Sequence, residues 1–131
     1  MVCMDTDFMI GLLRRDPSAR AKFDGLIQDG AELCTTPVNA GELYQGAYVS
    51  NRVPETLLSV KGILDRIGLL DFGLDAAELY GKLSKDLASK GSNIGDFDLL
   101  IACIALAHNE VLLTKNRKHF ERVQGLVIDS W

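Results

Sequence analysis

No apolar run in this chain is long enough to cross a membrane: the longest, Leu99 to Ala107, covers nine residues, where a helical span needs roughly 20. No basic stretch at the N-terminus leads into an apolar one, so no signal peptide is expected and the cytoplasm is the expected compartment. Cys3, Cys34 and Cys103 lie far apart in apolar sequence with no C-x-x-C. That argues against a disulfide, a zinc site or a cysteine nucleophile and fits three small buried hydrophobes. His108 and His119, the only histidines, match no metal-ligand spacing such as H-E-x-x-H, so helix-end or surface positions are expected for both. Low-complexity segments, charge blocks and internal repeats are absent too. Nor is there an excess of positive charge. The net charge is −4, from 18 acids and 14 bases, which argues against holding nucleic acid by general positive charge. It leaves room for an enzyme that reaches nucleic acid through a bound cation. If four acids line such a site, the other fourteen balance the fourteen bases.

What the chain has is apolar sequence in alternating short and long pieces. Its 131 residues, 47% hydrophobic, are enough for one domain, 1–131, with a sizeable core. Val2–Met4 reads as a strand, followed by a short apolar helix around Phe8–Leu13. "DPSARAKFDGLIQDG" opens a helix with Asp16 as N-cap and Pro17 at the first helical position, and Gly30 suits its end. "AELCTT" reads as a second strand. Thr36 and Pro37 then repeat the cap-and-proline start. Leu57, Val60, Leu64 and Ile67 form a helical stripe that stops at Gly68, and "LLDF" reads as a third strand. Ala76, Tyr80, Leu83 and Leu87 share a face of the next helix. "DFDLLIACIALAH" is apolar nearly all round and reads as a buried helix. "VLLT" and "LVID" complete about five strands. Strands interleaved with helices predict an α/β fold with a mainly parallel sheet covered on both faces. Function in such sheets gathers at the carboxyl ends of the strands.

Asp5 sits at such an end. Glu42 lies in "NAGELYQGA", a helix with few other charges, and Asp96 and Asp98 open the most apolar helix of the chain. Each acid has a plain structural explanation. Asp5 or Asp7 would cap the helix near Phe8, Asp96 and Asp98 would favour the positive end of a helix dipole, and Glu42 would meet an arginine. A shared explanation is a hard cation, because Mg²⁺ or Mn²⁺ takes oxygen ligands, keeps several waters and needs only a few carboxylates.

"MDTDFMI", "GELYQGA", "GDFDLLIACIALAH" and "LLTKNRKHFERVQGLVI" stand in the order and spacing of PIN-domain ribonucleases. The chain most resembles the VapC-like toxins of toxin–antitoxin pairs, over nearly its whole length. The resemblance implies a three-layer α/β/α sandwich with a central parallel sheet. It also implies a Mg²⁺ or Mn²⁺ site built from Asp5, Glu42 and Asp98, a homodimer, and a small antitoxin partner. Asp96 is the candidate for a fourth carboxylate. Where some members carry a further acid this chain reads Thr114-Lys115-Asn116, so Thr114 or Asn116 would supply hydrogen bonds instead, as would Thr6. Asp7 is read as a helix-start residue rather than a ligand.

The implied reaction is hydrolysis of an RNA phosphodiester by a metal-activated water, leaving a 5′-phosphate and a 3′-hydroxyl, with Asp96 able to orient the water. Arg14, Arg15, Lys82, Lys85, Lys115 and Arg117 are candidates to grip the RNA backbone, and a solvated face is the competing reading for each. Three rivals stand beside this. A haloacid-dehalogenase-like phosphatase would use Asp5 and Asp7 as nucleophile and acid with Lys115 in support, but Glu42 has no role there. A phospho-receiver domain would need an acceptor such as Asp71 in "LLDF". A PIN-like scaffold without catalysis would only bind a partner.

Overall fold

The first three helices are each started by a side chain that caps them. In the computed structural model, which describes all residues from Met1 to Trp131, strand β1 (Val2–Met4) runs straight into Asp5. The Asp5 side chain then caps helix α1 (Thr6–Leu13) by accepting from the Thr6 amide. Asp16 caps α2 (Pro17–Gln28) through the Ser18 and Ala19 amides. After β2 (Leu33–Thr35), Thr36 caps α3 (Pro37–Tyr48) through the Asn39 amide. In both helices proline fills the first position, where its missing N–H costs no hydrogen bond. Helix α4 (Val53–Leu64), strand β3 (Gly68–Leu69) and helix α5 (Leu74–Ser89) follow. Then come α6 (Asp96–Ala107), β4 (Val111–Leu113), α7 (Arg117–Phe120) and β5 (Ile128–Asp129).

All four strand pairings are parallel, in the order β3-β2-β1-β4-β5. Strand β1 therefore sits centrally, with β2 on one side and β4 on the other. The chain winds outward in one direction through β3 and in the other through β5. The point where the winding reverses lies between β1 and β4, and ligands of open parallel sheets bind over such points, at the carboxyl ends. Asp5 follows β1 and Thr114 follows β4, so both stand there.

Side-chain alternation along the strands divides the core into two layers. Cys3, Cys34 and Leu112 face one side, with Ala76 and Leu87 of α5, Ile101 and Ile104 of α6, and Phe120. Met4 and Leu113 face the other, with Phe8 and Met9 of α1, Leu43 and Ala47 of α3, and Val60 of α4. The three cysteines are buried and free, as their apolar surroundings predicted. The third strand differs from its sequence reading. It lies at Gly68–Leu69, so it takes in only the first residue of "LLDF", with the Leu70 amide still bonded to the Thr35 carbonyl. Asp71 and Phe72 are exposed and leave the sheet, because an edge strand is held from one side only.

Gly11 is required by packing. A Cβ there would lie 2.9 Å from Cη2 of Trp131 and 3.0 Å from the Ala19 Cβ. Gly11→Ala is expected to destabilise the protein by about 1–3 kcal/mol through overpacking, measured by urea unfolding. A stability equal to wild type would show that the indole moves aside without penalty.

Candidate active site

The site is built around Asp5, which is 6% exposed. Its Oδ1 accepts from the Thr6 amide at 2.9 Å and from Asn39 Nδ2 at 2.9 Å, and its Oδ2 accepts from the Thr114 hydroxyl at 2.6 Å. Asn39 is fully buried. It also donates to Thr6 Oγ1 at 2.9 Å, while its own Oδ1 accepts from the Thr36 hydroxyl at 2.7 Å. Thr6 passes the connection on by donating to Glu42 Oε1 at 2.7 Å. Glu42 lies one turn beyond Asn39 on α3, so both project from the same face of that helix.

Asp98 approaches from the first turn of α6. Gly95, at φ +91°, is the residue before this helix, a backbone conformation that L side chains rarely adopt. Asp98 Oδ2 contacts His119 Nδ1 at 2.9 Å and accepts from Asn116 Nδ2 at 3.3 Å. Asn116 is tied back to the centre, its amide donating to Thr114 Oγ1 at 3.0 Å. Asp7 braces the same turn by accepting from the Lys115 amide at 2.9 Å, and its Oδ1 is buried with no hydrogen-bond partner.

Burial pushes the Asp5 carboxyl up to about 6; the Thr114 hydroxyl opposes this, and the charges of Asp7 and Asp98 add to it. No lysine or arginine pairs with Asp5, Asp7, Glu42 or Asp98. The cluster is thus a set of hard oxygen donors with uncompensated negative charge and one orphaned carboxylate oxygen, which suits a hard divalent cation. The acids do not close tightly round one point: no three Asp, Glu, His or Cys side chains are grouped closely enough to hold a metal by themselves. Mg²⁺ needs less than that, since it keeps several waters and takes one or two carboxylates from the protein. The residues fit such a cation.

The structure brings Asp5, Glu42, Thr6, Thr114, Asn116 and Asp98 into one hydrogen-bonded network. Asp96 stands apart, exposed at the rim, accepting from the Tyr80 hydroxyl at 3.1 Å. Arg14 lines a cleft of about 490 Å³ together with Glu42 and Arg52. Arg15 opens on a different cleft, of about 1090 Å³, lined by Leu12, Phe23, Ile27 and Ile63. Lys82 and Lys85 are exposed on α5. The Lys115 ammonium lies 3.8 Å from the Trp131 ring centroid, and Arg117 pairs with Glu121 at 3.5 Å.

Two of these placements weaken the rival readings. Lys115 rests on the indole, so the phosphatase scheme lacks its lysine. Asp71 bonds to His108, which caps the far end of α6, about 15 Å along the helix from Asp98.

Asn39 was not singled out in the sequence, and His119 and Asp7 were given no part in the cation site. Asn39 had one signal, its i, i+3 spacing to Glu42. His108 does sit at a helix end, whereas His119 is drawn into the acid cluster. Asp7 starts α1, as expected, and also holds the β4–α7 turn.

A cluster of acids at the switch point of a parallel sheet, with helices packed on both faces, defines an α/β protein of the kind that takes ligands at its strand ends. The chain belongs to the PIN domain family, whose profile matches residues 2–126. It is similar to the tRNA(fMet)-specific endonuclease VapC of Shigella flexneri, 33% identical over 129 residues, covering 98% of this chain and 96% of that protein. Among solved structures, VapBC2 from Rickettsia felis, bound to a DNA fragment from its promoter, superposes with a TM-score of 0.90 at 28% identity, covering 100% of this chain and 99% of the other. VapBC-1 from nontypeable Haemophilus influenzae gives 0.88 at 30% identity, covering 100% and 98%. The five-stranded parallel α/β architecture read from the sequence is therefore that of the family.

Proposed function

We propose that this protein is an endoribonuclease, the toxin of a toxin–antitoxin pair, that hydrolyses RNA phosphodiester bonds with the help of Mg²⁺ or Mn²⁺. The observation that carries this reading is the buried Asp5, held by Thr114, Asn39 and Thr6 in a network that also takes in Glu42 and, through Asn116, Asp98. The names of the similar proteins support it. Asp5, Glu42 and Asp98 would hold the cation together with several bound waters, with Asp96 at the rim as the candidate fourth carboxylate. A divalent cation at such a site supplies Lewis-acid polarisation of the phosphate and a water made nucleophilic at neutral pH.

The protein's own groups do the positioning. Thr114 and Asn39 fix the orientation of Asp5, Thr6 fixes one oxygen of Glu42, and Asn116 with His119 fixes one oxygen of Asp98. Each carboxylate is thereby preorganised rather than free to reorient during the reaction. Asp96 would orient the attacking water. Arg14 and Arg52, beside Glu42 in the cleft, would meet backbone phosphates. In-line attack by water would leave a 5′-phosphate and a 3′-hydroxyl.

The larger apolar cleft beside Arg15 offers a face to an antitoxin, and similar chains have been solved as VapBC complexes. The reading extends to a homodimer acting in the cytoplasm. Exposed Phe72 and Leu74 are candidates for its interface, and no helix is long and apolar enough to cross a membrane.

The test is an RNA pool incubated with purified protein in Mg²⁺ or Mn²⁺, in EDTA, and with an Asp98→Asn variant. Cation-dependent cleavage giving 5′-phosphate ends is expected, reduced about a thousandfold in the variant, since several kcal/mol of transition-state stabilisation are removed. Hydrolysis of p-nitrophenyl phosphate without RNA cleavage would transfer the assignment to the Asp5/Asp7 phosphatase scheme.

A further inference from the structure

The two oxygens of Asp98 are treated differently by the protein. Oδ2 is taken by His119 Nδ1 at 2.9 Å and by Asn116 Nδ2 at 3.3 Å, the same Nδ1 lying 3.0 Å from Asn116 Nδ2, while Oδ1 has no hydrogen-bond partner within the chain. An ionised carboxylate has only lone pairs to offer, so Nδ1 carries the hydrogen in this contact. That leaves the other ring nitrogen, Nε2, with no partner in the protein. The His119 side chain is 43% exposed, yet its ring is not free to wander. It sits on a four-residue helix whose next residue, Phe120, is completely buried in the core. The turn leading into that helix is anchored by the Asn116 amide on Thr114, and Thr114 itself holds Asp5.

We infer that His119 is a positioning residue that aims Asp98, its Nδ1–H holding Oδ2 so that Oδ1 is presented to the cation site. The inference rests on the proposed reading of Asp98 as a cation ligand. Its physical basis is general: a carboxylate ligand on a helix has free rotation about χ1 and χ2 unless an outer group fixes it. Losing such a group costs roughly 10–100-fold in metal affinity. Asn116 alone makes the weaker, longer contact. His119 supplies the short one from a rigid base, and it joins the Asp98 carboxylate to the same β4–α7 turn that braces Asp5. The two acids are thus held from one piece of backbone.

The test uses the whole protein and reads Mn²⁺ binding directly, by titration calorimetry or by the loss of free-Mn²⁺ electron paramagnetic resonance signal, with no substrate present. Three substitutions separate the roles. His119→Ala removes the ring. His119→Asn places an amide N–H near the position of Nδ1, and His119→Gln places one near the position of Nε2. Mn²⁺ binding is expected to weaken about 10–100-fold in His119→Ala, to return close to wild type in His119→Asn, and to stay weak in His119→Gln. Recovery in the glutamine variant but not in the asparagine variant would overturn the inference, because the working atom would then be Nε2. Unchanged binding in His119→Ala would overturn it as well. If the alanine variant does not fold, the asparagine and glutamine pair still decides between the two nitrogens. Asp98→Asn is titrated alongside. Unaltered affinity in that variant removes the ligand role of Asp98 itself, whereas a loss there with no loss in the His119 variants removes only the positioning role.

Discussion

Asp5→Asn is expected to lower RNA cleavage about a thousandfold while making the cation-free protein more stable at neutral pH. Folding raises the Asp5 carboxyl from 3.8 to about 6. The native state therefore binds this proton more tightly than the unfolded chain does. The contribution of Asp5 to stability is most favourable below the unfolded value, falls as the pH rises from about 4 to about 6, and stays low above that. At pH 7 the ionised group costs about 3 kcal/mol, two pKa units at 1.36 kcal/mol each. Asparagine removes the charge without breaking the network. Its oxygen accepts from the Thr6 amide and Asn39, as Oδ1 does now. Its amide donates to Thr114 Oγ1, whose hydrogen turns to Asp7 Oδ2, 3.4 Å away. Urea unfolding in EDTA should show the variant ahead of wild type by up to about 3 kcal/mol at pH 7, and the gap should close as the pH is lowered to 4. A variant less stable than wild type at pH 7 would mean that the hydrogen bonds to the carboxylate outweigh its burial. Cleavage should fall about a thousandfold, the loss expected when a ligand of a charge-stabilising cation is neutralised.

Phe8→Ala is expected to destabilise the protein by about 3–5 kcal/mol. That is a large share of the stability of an ordinary domain. Phe8 is fully buried under β1 and β4, and its ring meets Trp131 edge-on, with centroids 5.3 Å apart and planes at 73°. Truncation leaves a cavity beside the indole that the surrounding helices fill only in part. Trp131 is the only tryptophan in the chain, so its fluorescence reports the change without ambiguity. A red shift and a lower urea midpoint are expected together. The effect should reach the acids less strongly. Trp131 stacks on Lys115, the Lys115 amide holds Asp7, and Asp7 lies beside Thr114, so cleavage should drop severalfold rather than vanish. A midpoint unchanged from wild type would show that the helices of this layer close over the gap.

Asp5 illustrates why competing readings of one residue need not exclude each other. Capping α1 and joining the acid cluster are both true of it. A side chain at the end of a parallel strand and the start of a helix meets orphan amide donors on one side and the crevice of the sheet on the other. Glu42 and Asp98 were legible for a related reason: a charge set in apolar sequence calls for a partner. The outer groups were not legible. Asn39 looked like one more polar residue in a first helical turn, and His119 like one more surface histidine.

The sequence by itself determined the elements and their faces. Caps at Asp5, Asp16 and Thr36, proline at the first helical positions, the apolar surround of α6 and the short apolar runs of β1 and β4 are local instructions. They act over a few residues, through backbone hydrogen bonds and the burial of one face. The tertiary structure alone decided which ends meet. Thr114 reaches Asp5 across 109 positions of chain and His119 reaches Asp98 across 21. Lys115 is turned from the acids to the Trp131 ring, and β3 is shortened at the sheet edge. None of these follows from local propensity. Each depends on β1 lying between β2 and β4, an arrangement set by long-range strand pairing and by two packed layers of helices that no short window of the chain contains.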